Sequence, residues 1–533
     1  MRPAAITRDT VTGTVRPDQQ IPASLLGALV LVWVGTAGAQ GLGGAIDRPV
    51  FLPGIRASTT FTDNALFGTG GNKDAGFIHE VSPYVTASSK SPRARYELNY
   101  QLRNLWLAGV DSPDTYKLRH ALNAQGSFAL LDDRLWLDLA GYMGTVNNSL
   151  TGPLAVDPAS SFVNTSALRR FSISPWYRDR ISNTAEYQLR YLAAHTGGDT
   201  GYAIAKLDQR ATASINSLRT NASPWSWTLD SGYQHRDFGS GISRDRVNAS
   251  GTLGYRINPT LRVYGILGYE RIEALRNEKG KDSGFGPGAG FEWAPNTRVS
   301  VSGSVSDQYY GTASQARVAY TTQRSTFGLS YSRGVYTSSD ASLLAFDPTQ
   351  LNSGEFSSAT LNPVLTGLIG RGIVFPPGIS LTQSLITDAA MLDRRISLFY
   401  GLTGNRNALS IQAFTSDRTS TTELESAIGI GDATGSNRNV FSGEIKERGL
   451  IVTYQHRLDA RTSIDVAYDL RRISSPTAGF STRYSTVRLG VGAWLTADTQ
   501  LFAGIRRTEH DSSQSASRYN ENAAYGGIDV RFR

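Results

Sequence analysis

The sequence predicts an all-β protein, a transmembrane antiparallel up-and-down β-barrel of about 22 strands (range about 18 to 24) with both its ends in the periplasm. Three observations predict it: apolar and polar residues alternate along many short segments, short and long connections alternate between those segments, and an export signal opens the chain. Composition agrees. Hydrophobic residues make up 40% of the 533, below the share of an ordinary globular core, yet 24 Tyr, 20 Phe and 8 Trp accompany 54 Gly. A polar average rich in aromatics suits a wall with lipid on one face and water on the other.

At the amino terminus, Arg2, Arg8 and Arg16 precede an apolar stretch from Leu25 to Val34, and Ala37-Gly38-Ala39 precedes Gln40. That order of charge, apolar run and small residues predicts a cleavable signal peptide over 1–39, because the apolar run is too short to anchor a helix in a bilayer. A short periplasmic lead-in, 40–52, and the barrel, 53–533, follow. With so short a lead-in no folded amino-terminal plug is expected, and no later segment is apolar enough for a membrane helix. Cysteine is absent, which removes disulfides, thiolate metal sites and a cysteine nucleophile. The net charge of +8 is spread along the chain rather than gathered in a run, so nucleic acid is not an expected partner.

The clearest strand is Arg93 to Arg103, where Ala94, Tyr96, Leu98, Tyr100 and Leu102 form one row and the intervening charged and amide side chains form the other. Ala185, Tyr187, Leu189 and Tyr191 separate in the same way from Glu186, Gln188 and Arg190. Val247, Ala249, Leu253 and Tyr255 stand against Arg244, Arg246, Asn248, Ser250 and Thr252, and Ile464, Val466, Tyr468 and Leu470 against Ser463, Asp465, Asp469 and Arg471. Short turn-forming links include Leu131-Asp132-Asp133, Asn258-Pro259, Pro295-Asn296, Gln323-Arg324, Asn405-Arg406-Asn407, Asp459-Ala460-Arg461 and Ala497-Asp498. Longer stretches lie between them: Asn64 to Asp74, Asn147 to Asn164, Arg276 to Asp282, Thr337 to Asp393 and Ser420 to Asn437. Tight turns at one rim and long loops at the other are the asymmetry of a bacterial barrel. The last strand carries Ile528, Val530 and Phe532 at alternate positions, the terminal aromatic that barrel-assembly machinery reads, although Arg533 follows it.

Few residues suggest chemistry. Gly284-Phe285-Gly286-Pro287-Gly288-Ala289-Gly290 has period two and no phosphate-binding Lys, so the glycines serve a bend or a close approach. His79, His120, His195, His235, His456 and His510 are dispersed, and no metal or cofactor is expected. His235 beside Asp237 and Ser240, or His510 beside Asp511, offers only a loose hydrolase pattern, and the chain is expected not to be an enzyme. The polar row is the stronger candidate. Arg95, Arg103, Arg190, Lys206, Arg210, Arg244, Arg246, Arg298 and Arg488 are expected to line the lumen, with Asp208 among them. Two readings stay open: the charges pair across strands and stiffen the wall, or they hold an acidic or hydroxylated polymer. The 337–393 segment is apolar for a loop, with Leu343, Leu344, Phe346, Leu365, Leu368 and Phe375, and is expected to fold over or into the pore, or to dock another protein outside.

Phe61-Thr62-Asp63-Asn64, Val81-Ser82-Pro83-Tyr84-Val85, Tyr96-Glu97-Leu98-Asn99-Tyr100 and His456-Arg457-Leu458-Asp459-Ala460-Arg461-Thr462-Ser463, with the apolar loop, resemble the outer-membrane proteins associated with PEP-CTERM/exosortase systems. The resemblance spans most of the mature chain on short strand-like motifs. It implies a role in exopolysaccharide production or export, as channel or scaffold, and supplies no catalytic residues. The expected partners are outer-membrane lipid, acidic or neutral exopolysaccharide and the barrel-assembly machinery. A general diffusion porin, a surface-structural or adhesin barrel and an outer-membrane hydrolase are the alternatives.

Overall fold

The computed structural model describes residues 49–68, 73–132, 134–147, 165–198, 206–218, 223–239, 242–273, 281–336, 391–420, 444–477, 479–513 and 518–532. The expected signal peptide and the apolar loop with its six candidate residues, Leu343, Leu344, Phe346, Leu365, Leu368 and Phe375, lie outside these.

The strands are β1 (Val50–Thr62), β2 (Gly76–Lys90), β3 (Ala94–Ala108), β4 (Tyr116–Leu131), β5 (Leu135–Asn147) and β6 (Thr165–Arg180). Next come β7 (Ala185–Gly197), β8 (Leu207–Ser217), β9 (Trp225–Gly239), β10 (Ile242–Asn258), β11 (Leu261–Ile272) and β12 (Ser283–Asn296). The third group is β13 (Val299–Gln308), β14 (Gly311–Thr321), β15 (Ser325–Tyr336), β16 (Met391–Thr403) and β17 (Asn407–Ser420). The last are β18 (Glu444–Arg457), β19 (Thr462–Ser475), β20 (Phe480–Trp494), β21 (Thr499–Ser512) and β22 (Tyr519–Arg531). Each pairs antiparallel with the next in sequence, and β22 returns to β1 with Gly54 opposite Arg531 and Thr62 opposite Ala523. The 22-stranded sheet therefore has no free edge, the condition for a sheet to cross a bilayer. The strand count matches the expected one. β1 starts at Val50 rather than near Pro53, and β16 takes up 391–393 from the end of the expected loop.

Every short link named above falls at the rim that carries the ends of the barrel, and the long stretches fall at the other. The long-loop rim is not uniformly long, because 309–310 is a two-residue turn there. A 15-residue strand such as β3 is ~50 Å long at ~3.3 Å per residue, and tilted by ~40° it stands ~38 Å tall, enough for a ~30 Å hydrocarbon core. At ~4.8 Å between strands and that tilt, the backbone encloses a lumen about 40 Å across, too wide for wall side chains to fill.

The register decides which row faces where. Leu189, Leu229, Leu253, Leu267, Val305 and Ile505 are exposed on one face, while Asp208, Arg236, Arg418, Arg506 and Glu521 are buried on the other. Apolar side chains outside and packed polar ones inside are the reverse of a water-soluble barrel, so the chain spans a membrane. Cross-strand aromatic pairs mark both interfaces. Phe61–Phe77 and Tyr269–Phe285, each with centroids 5.2 Å apart, lie towards the long-loop rim, and Trp225–Tyr255 at 4.8 Å and Tyr177–Tyr187 at 5.9 Å towards the other.

The glycines of β12 all face inward and accept neighbouring side chains. A Cβ on Gly290 would lie 2.4 Å from the Tyr264 ring, and one on Gly286 would lie 2.6 Å from the Gln308 amide. The expected close approach is thus an inner-wall arrangement, repeated where Tyr84 lies over Gly54 and Tyr525 over Gly504.

The β1–β2 connection departs from expectation. Instead of standing wholly outside, its first residues turn inward: Ala65 packs with Ile78, Leu105 and Leu107 in an apolar cluster on the inner face. Asn64, fully buried, donates from Nδ2 to the carbonyls of Gly68 and Asn520 at 3.0 Å and accepts the Gly68 N–H at 2.7 Å. Phe67 follows at φ 55° with its ring 4.7 Å from Tyr519.

Candidate functional site: the charged inner wall

The alternation of each strand leaves one side chain in two on the lumen, and the register stacks those side chains into rows around the wall. Arg95, Arg103, Arg190, Arg210, Arg244, Arg246 and Arg488 all stand on the inward row. Lys206 lies just ahead of β8, exposed, with its N–H donating to the carbonyl of Asp237 at 2.7 Å. Arg298 is the exception. It sits exposed in the tight turn between β12 and β13, where its N–H donates to the Asn296 side chain at 2.9 Å, because that turn consumes the residues that would have extended the strand.

Most of these arginines brace the wall. Arg103 lies 3.9 Å from Glu80, whose Oε1 also accepts the Ser82 hydroxyl at 2.5 Å. Arg190 pairs with Asp138 at 2.9 Å and donates to Ser174 at 3.1 Å. Arg246 reaches Glu270 with Nη2 at 2.6 Å and Nε at 3.0 Å. Arg244 lies over the Phe238 ring at 5.4 Å, and Arg488 over Tyr525 at 5.9 Å. Arg210 stands between Leu192 and Gln234 in the register, and Arg95 is exposed near the short-turn rim.

Register also collects residues that the sequence reading left out. Arg170 and Arg236 flank Asp208 at 3.2 Å and 3.8 Å, and Gln234 donates to the same carboxylate at 2.8 Å. Arg244 is the register partner of Arg236. Arg190, Lys206, Arg210, Arg244 and Arg246, together with Arg170 and Arg236, thus gather on one arc from β6 to β10. Arg170 was illegible because it follows Arg169, and only pairing shows which of the two points inward. Arg236 lies in the polar run His235-Arg236-Asp237, where no alternation marks a face.

The arc is electrostatically one-sided. Among the described residues, the inward carboxylates of β4 to β10 are Asp138, Glu186, Asp208 and Asp230, and more than twice as many Lys and Arg share that face. The opposite wall is close to balanced. There Arg418 bridges Asp393 at 3.8 Å and Glu447 at 3.3 Å, Arg506 meets Glu521 at 2.8 Å, and Arg56 meets Asp529 at 2.7 Å. Clustered like charges in a lumen with low-dielectric walls raise the local concentration of counter-charged solutes.

Of the loose hydrolase patterns, His235 shares the outer face with Asp237 and contacts Asp245 at 2.7 Å, while Ser240 lies outside the described residues; His510 is buried inward while Asp511 points outward. His79, His120, His195 and His456 also lie on the outer row.

No protein-family model matches the chain, and no curated protein matches it. Among solved structures it is similar to the siderophore receptor PirA from Pseudomonas aeruginosa, at 9% identity over 91% of this chain and 81% of that one, with a TM-score of 0.44. The ferric enterobactin receptor PfeA from the same organism gives 9% identity, 90% and 80% coverage and a TM-score of 0.46. The FrpB iron transporter from Neisseria meningitidis gives 10%, 90%, 81% and 0.46. A likeness of this degree carries nothing about a ligand.

Proposed function

We propose that the chain is a non-enzymatic channel or scaffold of a Gram-negative outer membrane, with its tight turns in the periplasm and its long loops outside, and that it serves exopolysaccharide production or export. The observation that carries this reading is the one-sided charge of the lumen. Bracing alone calls for matched partners around the whole wall, as on β16 to β1, whereas β6 to β10 gathers arginines in excess. Arginine presents planar paired donors that fit carboxylates, so this arc suits an acidic polymer moving along it. The resemblance to PEP-CTERM/exosortase-associated outer-membrane proteins supplies the exopolysaccharide setting, with lipid and the assembly machinery as the other partners.

Purified protein in planar bilayers tests it. Wild type should prefer anions, and oligogalacturonate should block its current. Arg210→Gln/Arg244→Gln should shift the reversal potential towards cations and weaken the block by about tenfold, equivalent to ~1.4 kcal/mol. Cation preference in the wild type, or block indifferent to both substitutions, would overturn the reading.

A further inference from the structure

We propose that Arg448, Arg472 and Arg483 form a binding row for the phosphates of a lipid headgroup on the outer face of the barrel, where the apolar band gives way to the long-loop rim. This rests on the outer-membrane placement proposed above and not on its exopolysaccharide part. The register sets the three side by side on β18, β19 and β20, with Arg448 opposite Arg472 and Arg472 opposite Arg483. All three point outward, because the residues beside them in sequence, Glu447, Arg471 and Tyr484, are buried on the inner face. Each of the three is exposed. At ~4.8 Å between strands the row is ~10 Å long, about the length of a disaccharide.

Like charges directly opposite each other destabilise a sheet, and here three stand in succession. Among the described residues, none of the three guanidinium groups meets a carboxylate. Asp511 ends the row opposite Arg483, but it turns to Arg518 at 2.7 Å. Three other outward cations at this rim do have carboxylates: Arg271 has Asp282 at 3.1 Å, Lys446 has Glu444 at 3.0 Å and Arg507 has Glu509 at 2.7 Å. The charge of the row therefore calls for an anion from outside the chain, and its place on the wall says which kind. Two residues further along the strands Leu450 faces Leu470, and Val452, Tyr468 and Val487 share the row after that. A bound anion thus lies within ~7 Å of the apolar band. A soluble anion gains nothing from that neighbour, whereas a lipid sets its phosphates on the arginines and its acyl chains on the leucines. The forked donors of arginine suit phosphate oxygens. The occupant that fits both the length and the charge is an acylated disaccharide carrying two phosphates.

Native mass spectrometry of the full-length barrel in detergent tests this, with bisphosphoryl lipid A and its fully dephosphorylated form as probes. Wild type should hold the bisphosphoryl form at least about tenfold more tightly, and Arg448→Gln/Arg472→Gln/Arg483→Gln should lose that preference. Arg472→Lys, which keeps the charge but not the fork, should keep part of it. Arg271→Gln, at an outward arginine with a carboxylate of its own, should change nothing. Heat-modifiable migration confirms that each variant folds, and Arg472→Gln alone, expected to weaken retention about fivefold, keeps the test alive if the triple variant does not. Equal retention of the two lipid forms by wild type, or a preference untouched by the triple substitution, overturns the site. Displacement of lipid A by oligogalacturonate also overturns it, because the row would then be a polymer contact. The two readings fail separately: the anion preference and the block in bilayers depend on the inner wall and should survive the triple substitution.

Discussion

Removing Arg506 should cost far more than any exposed ion pair could. Arg506 and Glu521 are diagonal neighbours on the inward rows of β21 and β22, with side chains 1% and 2% exposed and Nη2 to Oε1 at 2.8 Å. The same Oε1 accepts the Thr62 hydroxyl of β1 at 2.9 Å, so one carboxylate ties together the three strands that close the barrel. In Arg506→Met it keeps that single hydroxyl donor and stays buried, and breaking such a pair costs roughly 3–5 kcal/mol. Arg506→Met/Glu521→Leu removes both charges and should return to within about 1 kcal/mol of wild type, because the desolvation cost of the pair offsets most of its attraction. The coupling between the two sites, the double-variant cost less the two single costs, is then at least about 2 kcal/mol in magnitude before the cost of Glu521→Leu is counted, well above the additivity error of distant sites. Urea unfolding from lipid vesicles, followed by tryptophan fluorescence, measures all four corners of the cycle. If Arg506→Met costs under about 1 kcal/mol, or the double variant costs the sum of the singles, the pair does not hold the seam.

Other expectations follow from the same physics. Gly527→Ala places a Cβ 2.4 Å from the Ala57 carbonyl oxygen across the seam and 2.6 Å from the Phe502 ring, and should cost about 1–3 kcal/mol, whereas Gly265→Ala, with nothing within 4 Å, should unfold at the wild-type urea concentration. Asp459, in the turn 458–461, accepts the N–H groups of Arg461 and Thr462 at 2.7 Å, and these bonds, that of Arg461 first, hold its carboxyl below the usual range. Its contribution is therefore complete above the unfolded pKa and is lost as pH falls through the depressed one. The difference in unfolding midpoint between wild type and Asp459→Asn should be flat from about pH 8 to 5 and close below about pH 4. Deleting 341–387 should raise single-channel conductance, and an unchanged conductance would exclude that segment as a constriction.

The fold was legible because a barrel wall writes its two solvents into alternate residues. Rows such as Ala94 to Leu102 and Ile464 to Leu470 reveal strands, and Asp459-Ala460-Arg461 and Asn258-Pro259 reveal turns, through local chemistry that needs no distant partner. The candidate lumen residues were legible for the same reason, since Arg190 lies between Leu189 and Tyr191 and Arg246 opens the alternation that runs on through Val247 and Ala249. Where alternation failed, sequence was silent: Arg170 beside Arg169, Arg236 among polar neighbours, and Arg448, Arg472 and Arg483, which meet only because β18, β19 and β20 pair in register. A single strand specifies which of its faces is polar, but not which side chain of the neighbouring strand lies opposite. The sequence by itself therefore determined a membrane-spanning wall with a charged inner face. The tertiary structure decided that the charges balance on one side and accumulate on the other, because strand register alone sets which arginine meets a carboxylate and which meets another arginine.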